Sequence, residues 1–538
     1  MNQIFKTKSL EHVLAETESG GGERLKRVLG PWSLTALGIG AIIGTGIFVL
    51  VGQAARDLTG PSLMLSFIVA GLACIFAALC YAEFASMAPV AGSAYTYAYL
   101  TLGELMAWVI GWDLILEYAV ASCTVAHGWS KYLGKLLAMA GMAVPGVVHE
   151  APFSLHPNSG EVVLGHVEKL KDAEGNDLKE KVTDANGKER EVFVLKTDRG
   201  GVEVVTHTWL DLPAALVAIA ITFILVKGIK ESAWFNALMV AIKVSVVLLV
   251  IGVGAFYVNP KNWENFAPYG YGGLSFFGHV VWGELRPNGL PRGMLAGAAM
   301  IFFAYLGFDA VSTNAEEAKN PKRDLPIGII GSLVICTILY IAVAGVLTGM
   351  VPYSQIDQSA PVADAFARQG LTWFTVLIII GAVTGITSVL LVMMLGQARI
   401  FLAMARDGLL PSALTKVHPT FKTPWWATIL TGLLVALGGS LLPLDILADL
   451  TSIGTLFAFV VVCAAVLVLR VTQPNLERPF KAPLGIMTPV IGIALCLLLM
   501  FSLSWENWAR LIIWLLVGLA IYFTFGVKHS KLRDLHAK

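Results

Sequence analysis

The sequence predicts an all-α polytopic membrane protein, and three observations carry that reading. Apolar residues recur in runs of roughly 20, the length of helix that crosses a bilayer core. Of the 538 residues, 56% are hydrophobic and only 14% charged. Basic residues gather at alternate joints between the runs, as they do where every second loop is cytoplasmic.

Each element follows in chain order. Residues 1–30 are polar and read as a cytoplasmic tail. They lack a basic n-region, an apolar h-region and a small-residue cleavage site, so no cleaved signal peptide is expected. About twelve apolar runs follow, at 33–52, 62–83, 103–133, 208–227, 234–257, 293–314, 326–351, 371–402, 425–443, 446–469, 483–503 and 506–527. With the N-terminus inside, the inner joints hold Arg24, Lys26, Arg27, Lys227, Lys230, Lys319, Lys322, Arg323, Arg406, Lys416, Lys422, Arg470, Arg478, Lys481, Lys528, Lys531 and Arg533. The short outer joints nearly lack Lys and Arg, which places both termini in the cytoplasm and the chain in the cytoplasmic (inner) membrane.

Two stretches interrupt the runs. Residues 148–207 form a hydrophilic insertion on the outer side, with alternating segments that meet at Asn186-Gly187, a hairpin signal. Asp172, Asp177 and Asp184 lie in it, but their spacing matches no EF-hand loop, and a solvated hairpin is the simpler reading. The second stretch, 259–291, carries "NPKNWENFAPYGYGG", whose aromatics and glycines suggest an interfacial loop over an opening.

Several function classes drop out. A formal charge of +1 and the absence of a basic arm interleaved with aromatics argue against nucleic acid. The six cysteines all lie in apolar runs without CxxC spacing, so they read as buried side chains and not as metal or redox ligands. No cofactor is implied. No HExxH, GxSxG or His/Asp cluster stands in the runs, which argues against a membrane enzyme.

The first run holds "TALGIGAIIGTGIF", with glycines at 38, 40, 44 and 46. A dinucleotide fingerprint fails, because Gly44 comes one residue too late for GxGxxG and no strand precedes it. Close helix packing through the Gly40/Gly44 GxxxG pair is one reading. The other uses a second segment, "MIFFAYLGFDAVSTNAEEAKNPKRDLP", in which Gly307 sits among aromatics next to Asp309. Interrupted first and sixth helices, in a series whose helices 1–5 and 6–10 form matched halves, are the pattern of a transporter built from inverted repeats. The domains then run as 31–257 for the first repeat, 258–470 for the outer loop and second repeat, 471–527 for two further helices, and 528–538 for a cytoplasmic tail.

Broken helices leave backbone N–H and C=O groups unpaired at the bilayer midplane, where lipid supplies no partner. A zwitterion supplies both. Its carboxylate takes the N–H groups around Gly44, Thr45 and Gly46, and its ammonium meets the carbonyls of Ile43, Phe303 and Ala304. Lys243 lies mid-run in "FNALMVAIKVSVVLLVIGVG", where an ammonium costs about 2.5 to 3.5 kcal/mol on insertion scales, so it is expected to face the protein interior. There it either loads and releases a proton or fills a static cation hole. Asp113 and Glu117 are four apart on one helix face, and two carboxylates in one dry region seldom both stay ionised. Glu117, the deeper, either lines the pocket or is a structural carboxyl. His127 on the same helix reads as a satisfied core histidine.

The stretches "GIGAIIGTGIFVL", "AEFASMAPVAGSAYTYAY", "GWDLILEY", "ALMVAIKV", "FFAYLGFDAVSTNAEEAKNPKRDLPIGI", "GITSVLLVMMLGQARIFLAMARDGLLP" and "TSIGTLFAFVVV" together resemble the amino acid, polyamine and organocation (APC) superfamily. Within it they resemble the cationic amino acid transporter family in its twelve-span bacterial form, over about residues 24–525. The resemblance implies a fold like that of sodium symporters, with a lysine where the sodium ion would bind, and proton-coupled transport or exchange of amino acids. It implies that Lys243 is the proton-linked site, facing Gly40 and, on the eighth helix, Thr387 and Ser388. It also implies that Phe308 is an outer gate above the substrate and Phe303 a pocket wall. Met393 or Met394 resembles the position that is smaller in relatives carrying arginine and lysine, which favours a small neutral amino acid such as alanine over a cationic one. The insertion at 148–207 departs from the family pattern.

The expected partners are an amino acid substrate, a proton, the lipid bilayer and a small accessory membrane subunit. The expected function is alternating-access uptake driven by protons, with exchange, cationic substrates and flux-free sensing as alternatives.

Overall fold

The computed structural model describes residues 6–8, 29–88, 93–142, 144–172, 177–183, 189–198, 202–228, 233–276, 279–286, 288 and 290–531. Twelve principal helices run through it: α1 (Pro31–Ile42), α2 (Leu63–Met87), α3 (Glu104–Met139), α4 (Leu212–Lys227), α5 (Ala233–Gly254), α6 (Met294–Ile301), α7 (Pro321–Met350), α8 (Thr372–Arg406), α9 (Trp425–Leu441), α10 (Leu444–Thr472), α11 (Met487–Met500) and α12 (Trp505–Ile521). Each apolar run of the sequence falls on one of them or on the helical turns that continue it. Runs of Leu, Ala, Val and Ile propagate helix in lipid because only internally bonded backbone is tolerated there. Prolines stand at the starts, as Pro31 and Pro321 do, and Asp211 caps α4 by accepting from the Ala214 N–H at 3.1 Å.

Among the described residues, eight helical stretches are long and apolar enough to cross a membrane. Four more apolar helices are shorter: α1, α4, α9 and α11. At 1.5 Å per residue the longest of these four reaches only about 26 Å, short of a bilayer core of about 30 Å. α1 is short because its run is interrupted. The same chain resumes as a π-helix at Gly46–Leu50 and continues through Ala55–Thr59.

The helices pack as a bundle in which α7 lies along α1 and α2, α8 and α10 lie along α3, and α9 lies along α4. The start of the first helix is strapped to the end of the sixth. Leu29 pairs with Ala318 in a parallel bridge, its N–H donating to the Glu317 carbonyl at 3.0 Å and its carbonyl accepting from the Lys319 N–H at 2.8 Å. All six cysteines are buried and unpaired.

The chain is not purely helical. Among the described residues, five two-stranded antiparallel sheets stand in its two polar excursions. In the first, β1 (Phe153–Leu155) pairs β2 (Val162–Leu164), β3 (His166–Val167) pairs β6 (Val205–Thr206), and β4 (Lys179–Thr183) pairs β5 (Glu189–Phe193). The β4–β5 arms flank Asn186-Gly187, which lies outside the described residues, as do Asp184, Arg24, Lys26, Arg27, Lys230 and Arg533. Asp177 is engaged by Arg56 at 3.1 Å and Lys169 at 3.5 Å, and no group of three or more metal-ligating side chains occurs among the described residues.

In the second excursion β7 (Leu274–Phe276) pairs β8 (His279–Trp282), and β9 (Glu284–Leu285) pairs β10 (Pro291–Arg292). This loop does lie over helix ends. The Asn262 side chain donates to the Gly349 carbonyl at 2.6 Å, the Ser275 N–H to the Phe501 carbonyl at 2.9 Å, and the Tyr269 hydroxyl to the Arg56 carbonyl at 3.1 Å.

Candidate substrate and coupling site

Two helix interruptions meet at the centre of the bundle. α1 ends at Ile42, and Ile43 turns extended, with φ −71° and ψ 104°. Helix returns by Gly46, so the N–H groups at the start of the second half have no intrahelical carbonyls to meet. In the sixth helix, α6 gives way to a 3-10 stretch at Phe302–Tyr305, then extended Leu306, then Gly307 at φ 110°, then a 3-10 stretch at Asp309–Glu317. Only glycine adopts that φ without strain, and a Cβ there would also sit 2.8 Å from the Ala41 carbonyl carbon and oxygen.

The two interruptions touch each other. A Cβ on Gly46 would collide with the Cα and Cβ of Ala304. On the other side Gly44 faces Val389 of α8, whose Cγ2 lies 2.9 Å from where a Cβ would stand. Thr45 packs in the notch that Gly128 leaves on α3; it is 1% exposed, and its hydroxyl has no hydrogen-bond partner. Ile43, Gly44, Thr45, Gly46, Phe303 and Ala304 are thus brought together, all buried.

A residue that sequence reasoning missed holds this junction. The Tyr340 hydroxyl of α7 lies 2.9 Å from the Ile42 carbonyl oxygen and 3.0 Å from that of Ala304, so one donor serves the loose end of each broken helix. The Phe303 carbonyl is used as well, accepting from the Leu306 N–H at 3.2 Å. A tyrosine hydroxyl in the apolar "TILYIAVAG" was the available signal, since a polar atom at that depth needs a partner.

Lys243 is fully buried, and its ammonium donates to the Gly40 carbonyl. Its stem lies against Gly385 of α8, where a Cβ would come within 3.1 Å of the lysine Cγ. The two α8 residues expected to face the lysine are engaged elsewhere. The Thr387 hydroxyl accepts from the Trp129 indole N–H at 2.9 Å and donates to the Val383 carbonyl at 2.7 Å, while the Ser388 hydroxyl donates to the Gly385 carbonyl at 3.2 Å. Gly38 packs on Ser332 and Val311, away from the lysine.

Phe308, expected as an outer gate, packs among aromatic rings. It follows Gly307, beyond the break as seen from α6 and its loop, and is fully buried with its ring 5.9 Å from Tyr81 and 5.1 Å from Phe459. Phe303, 5% exposed, precedes the break. Glu117 is 4% exposed, and the next residue, Tyr118, donates its hydroxyl to the Asp309 carboxylate. Met393 and Met394 are both buried in the bundle, so neither faces lipid. His127 lies 3.1 Å from Asp211, the α4 cap, which also accepts from Ser130 at 2.6 Å.

Two facing helix breaks with a buried lysine beside them are the architecture of a carrier site, and sequence comparison agrees. The amino acid permease family profile matches residues 29–522. The chain belongs to that family, within the APC superfamily. It is similar to the branched-chain amino acid permease BcaP of Bacillus subtilis (strain 168), at 46% identity over 532 residues, covering 99% of both chains. It is also similar to the methylthioribose transporter of the same organism, at 41% over 532 residues, covering 99% of this chain and all of that one. Cationic amino acid transporter 4, vacuolar, of Arabidopsis thaliana is 35% identical over 476 residues, 88% of this chain and 68% of its own. The protein is therefore a multi-pass membrane permease for amino acids and not an enzyme.

Proposed function

We propose that this permease takes up a neutral aliphatic L-amino acid, coupled to protons, by alternating access across the cytoplasmic membrane. In this reading all twelve helices cross, helices 1–5 and 6–10 are inverted repeats, both termini are cytoplasmic, and the β-rich insertion is outside. The observation that carries it is the contact of Gly46 with Ala304, which sets the start of one half-helix against the carbonyl end of another. An amino acid's carboxylate would take the N–H groups of residues 44–46, at the positive end of that half-helix. Its ammonium would take the carbonyls of Ile43 and Phe303, with Tyr340 holding those of Ile42 and Ala304.

Lys243, tied to Gly40 and hence to the first half-helix, would couple protonation to movement of that helix. In this reading Phe303, which lies on the α6 side of Gly307, lines the outer side of the site in place of Phe308. Branched side chains are preferred to alanine on the strength of the 46% identity to a permease named for them. Glu117 and Met393 would complete the pocket walls.

Proteoliposomes test the reading. Isoleucine, alanine, arginine and methylthioribose are each offered with and without an inward proton gradient. Gradient-driven accumulation of isoleucine is expected. Uptake that ignores the gradient but needs internal amino acid would establish an exchanger, and accumulation of methylthioribose alone would refute the amino acid site, since that sugar has neither carboxylate nor ammonium.

A further inference from the structure

A polar seam runs from Glu117, at the wall of the site above, to a carboxyl that the site does not use. Asp113 on α3 is fully buried, and neither of its carboxylate oxygens has a hydrogen-bond partner. Its Oδ1 occupies the space left by Gly454 of α10, 3.4 Å from where a Cβ would stand. Glu117, one turn along, lies beside Thr455 and leaves Oε2 unpartnered. Asp309, held by Tyr118, is the third carboxyl, within electrostatic reach of Glu117. Among the described residues the other titratable groups at the seam are the hydroxyls of Tyr81 on α2, Tyr97 on the helix Ser93–Thr101 and Tyr118, with the Cys463 thiol of α10 beside Tyr81. Among the described residues no lysine, arginine or histidine is paired with any of the three carboxyls.

An ionised carboxylate without a partner is costly at membrane depth, so such a group waits for a cation. The cation this seam suits is a proton, which needs no coordination shell. α3 rises 1.5 Å per residue, so Asp113 lies about 6 Å from Glu117 along the axis, toward Glu104.

We infer that Asp113 is a proton-binding residue of the transport cycle, taking up one proton from the medium and releasing it in each turn. On uptake one O–H bond forms at its carboxylate and the negative charge is neutralised; on release that bond breaks and the charge returns. The inference rests on the proton-coupled reading above, and its test separates the two.

The full chain in lipid is titrated between about pH 5 and about pH 8 and followed by difference infrared spectroscopy. A carboxylic acid C=O band is expected that shifts on 13C-aspartate labelling and is lost in Asp113→Asn. A titration that shows no band differing between wild type and Asp113→Asn overturns the inference. In proteoliposomes Asp113→Asn should lose at least about 10-fold in proton-driven accumulation of isoleucine, equivalent to about 1.4 kcal/mol of coupling. Isoleucine counterflow should stay within about threefold of wild type. Accumulation equal to wild type also overturns the inference. If Asp113→Asn does not fold, Asp113→Glu replaces it: a displaced band and a shifted pH midpoint of accumulation support the inference, and wild-type values for both refute it. A wild-type protein that moves no protons fails the coupling reading, while the infrared band still decides whether Asp113 binds one.

Discussion

The ammonium of Lys243 donates to the Gly40 carbonyl, so the only charge on α5 at that depth is tied to the backbone of the first broken helix. Replacing it by alanine removes the charge and leaves the Gly40 carbonyl without that donor, a loss of about 1–3 kcal/mol in stability. Lys243→Ala should abolish proton-driven accumulation and leave exchange of internal for external amino acid measurable. Proteoliposome uptake with and without a pH gradient checks it, and undiminished accumulation would make the lysine structural.

Tyr340→Phe deletes one hydroxyl and deprives two carbonyls of their shared donor. Substrate affinity should fall about 5- to 30-fold, the effect of about 1–2 kcal/mol. Thermal-shift titration with isoleucine reads it out, since ligand binding raises the melting temperature by mass action. An unchanged affinity would remove Tyr340 from the site.

Gly307→Ala places a side chain at φ 110° and against the Ala41 carbonyl. The backbone term alone costs at least about 1–2 kcal/mol. Gly30→Ala is the control, with φ −91° and nothing within 4 Å of the new Cβ, and at this N-cap should lower the melting temperature less than Gly307→Ala does. Equal melting curves for the two variants would contradict the geometry of the break.

Arg56, on the continuation of the first helix, joins the insertion through Asp177 at 3.1 Å and also donates to the Ile356 carbonyl beyond α7 at 3.3 Å. Pairs this close to solvent contribute about 1 kcal/mol or less. Asp177→Asn should therefore barely move the melting temperature yet raise outside labelling of a Thr45→Cys reporter severalfold. Labelling at the wild-type rate would show that the insertion does not restrain this helix.

Met393→Ser should admit arginine if that methionine caps the pocket, with Met394→Ser as the comparison. Competition of arginine against isoleucine uptake measures it. Selectivity unchanged in both variants would take both methionines out of the pocket.

Much of this was legible in the chain because lipid enforces simple rules. Run length marked the helices, and glycine density marked where the first one opens, since a break at that depth needs residues without side chains. Gly307 was visible among its aromatics for the same reason. What escaped were contacts between distant segments. Thr387 and Ser388 are near Lys243 in sequence register on α8, yet Trp129 and the helix's own backbone take their hydroxyls, and it is Gly385 that makes room for the lysine stem. For Phe308 the string does not reveal the rings of Tyr81 and Phe459 that surround it. The short α4, α9 and α11 show that an apolar run marks where helix forms more reliably than how far it extends.

The bridge between Leu29 and Ala318 has a mechanical meaning. It yokes the beginning of one broken helix to the end of the other through two backbone hydrogen bonds, which substitutions other than proline leave in place. The two segments below the breaks should then swing as one lever, hinged at Ile43 and Gly307. A spin-label pair spanning that yoke would keep its distance through the cycle while pairs reaching to α3 or α8 change theirs.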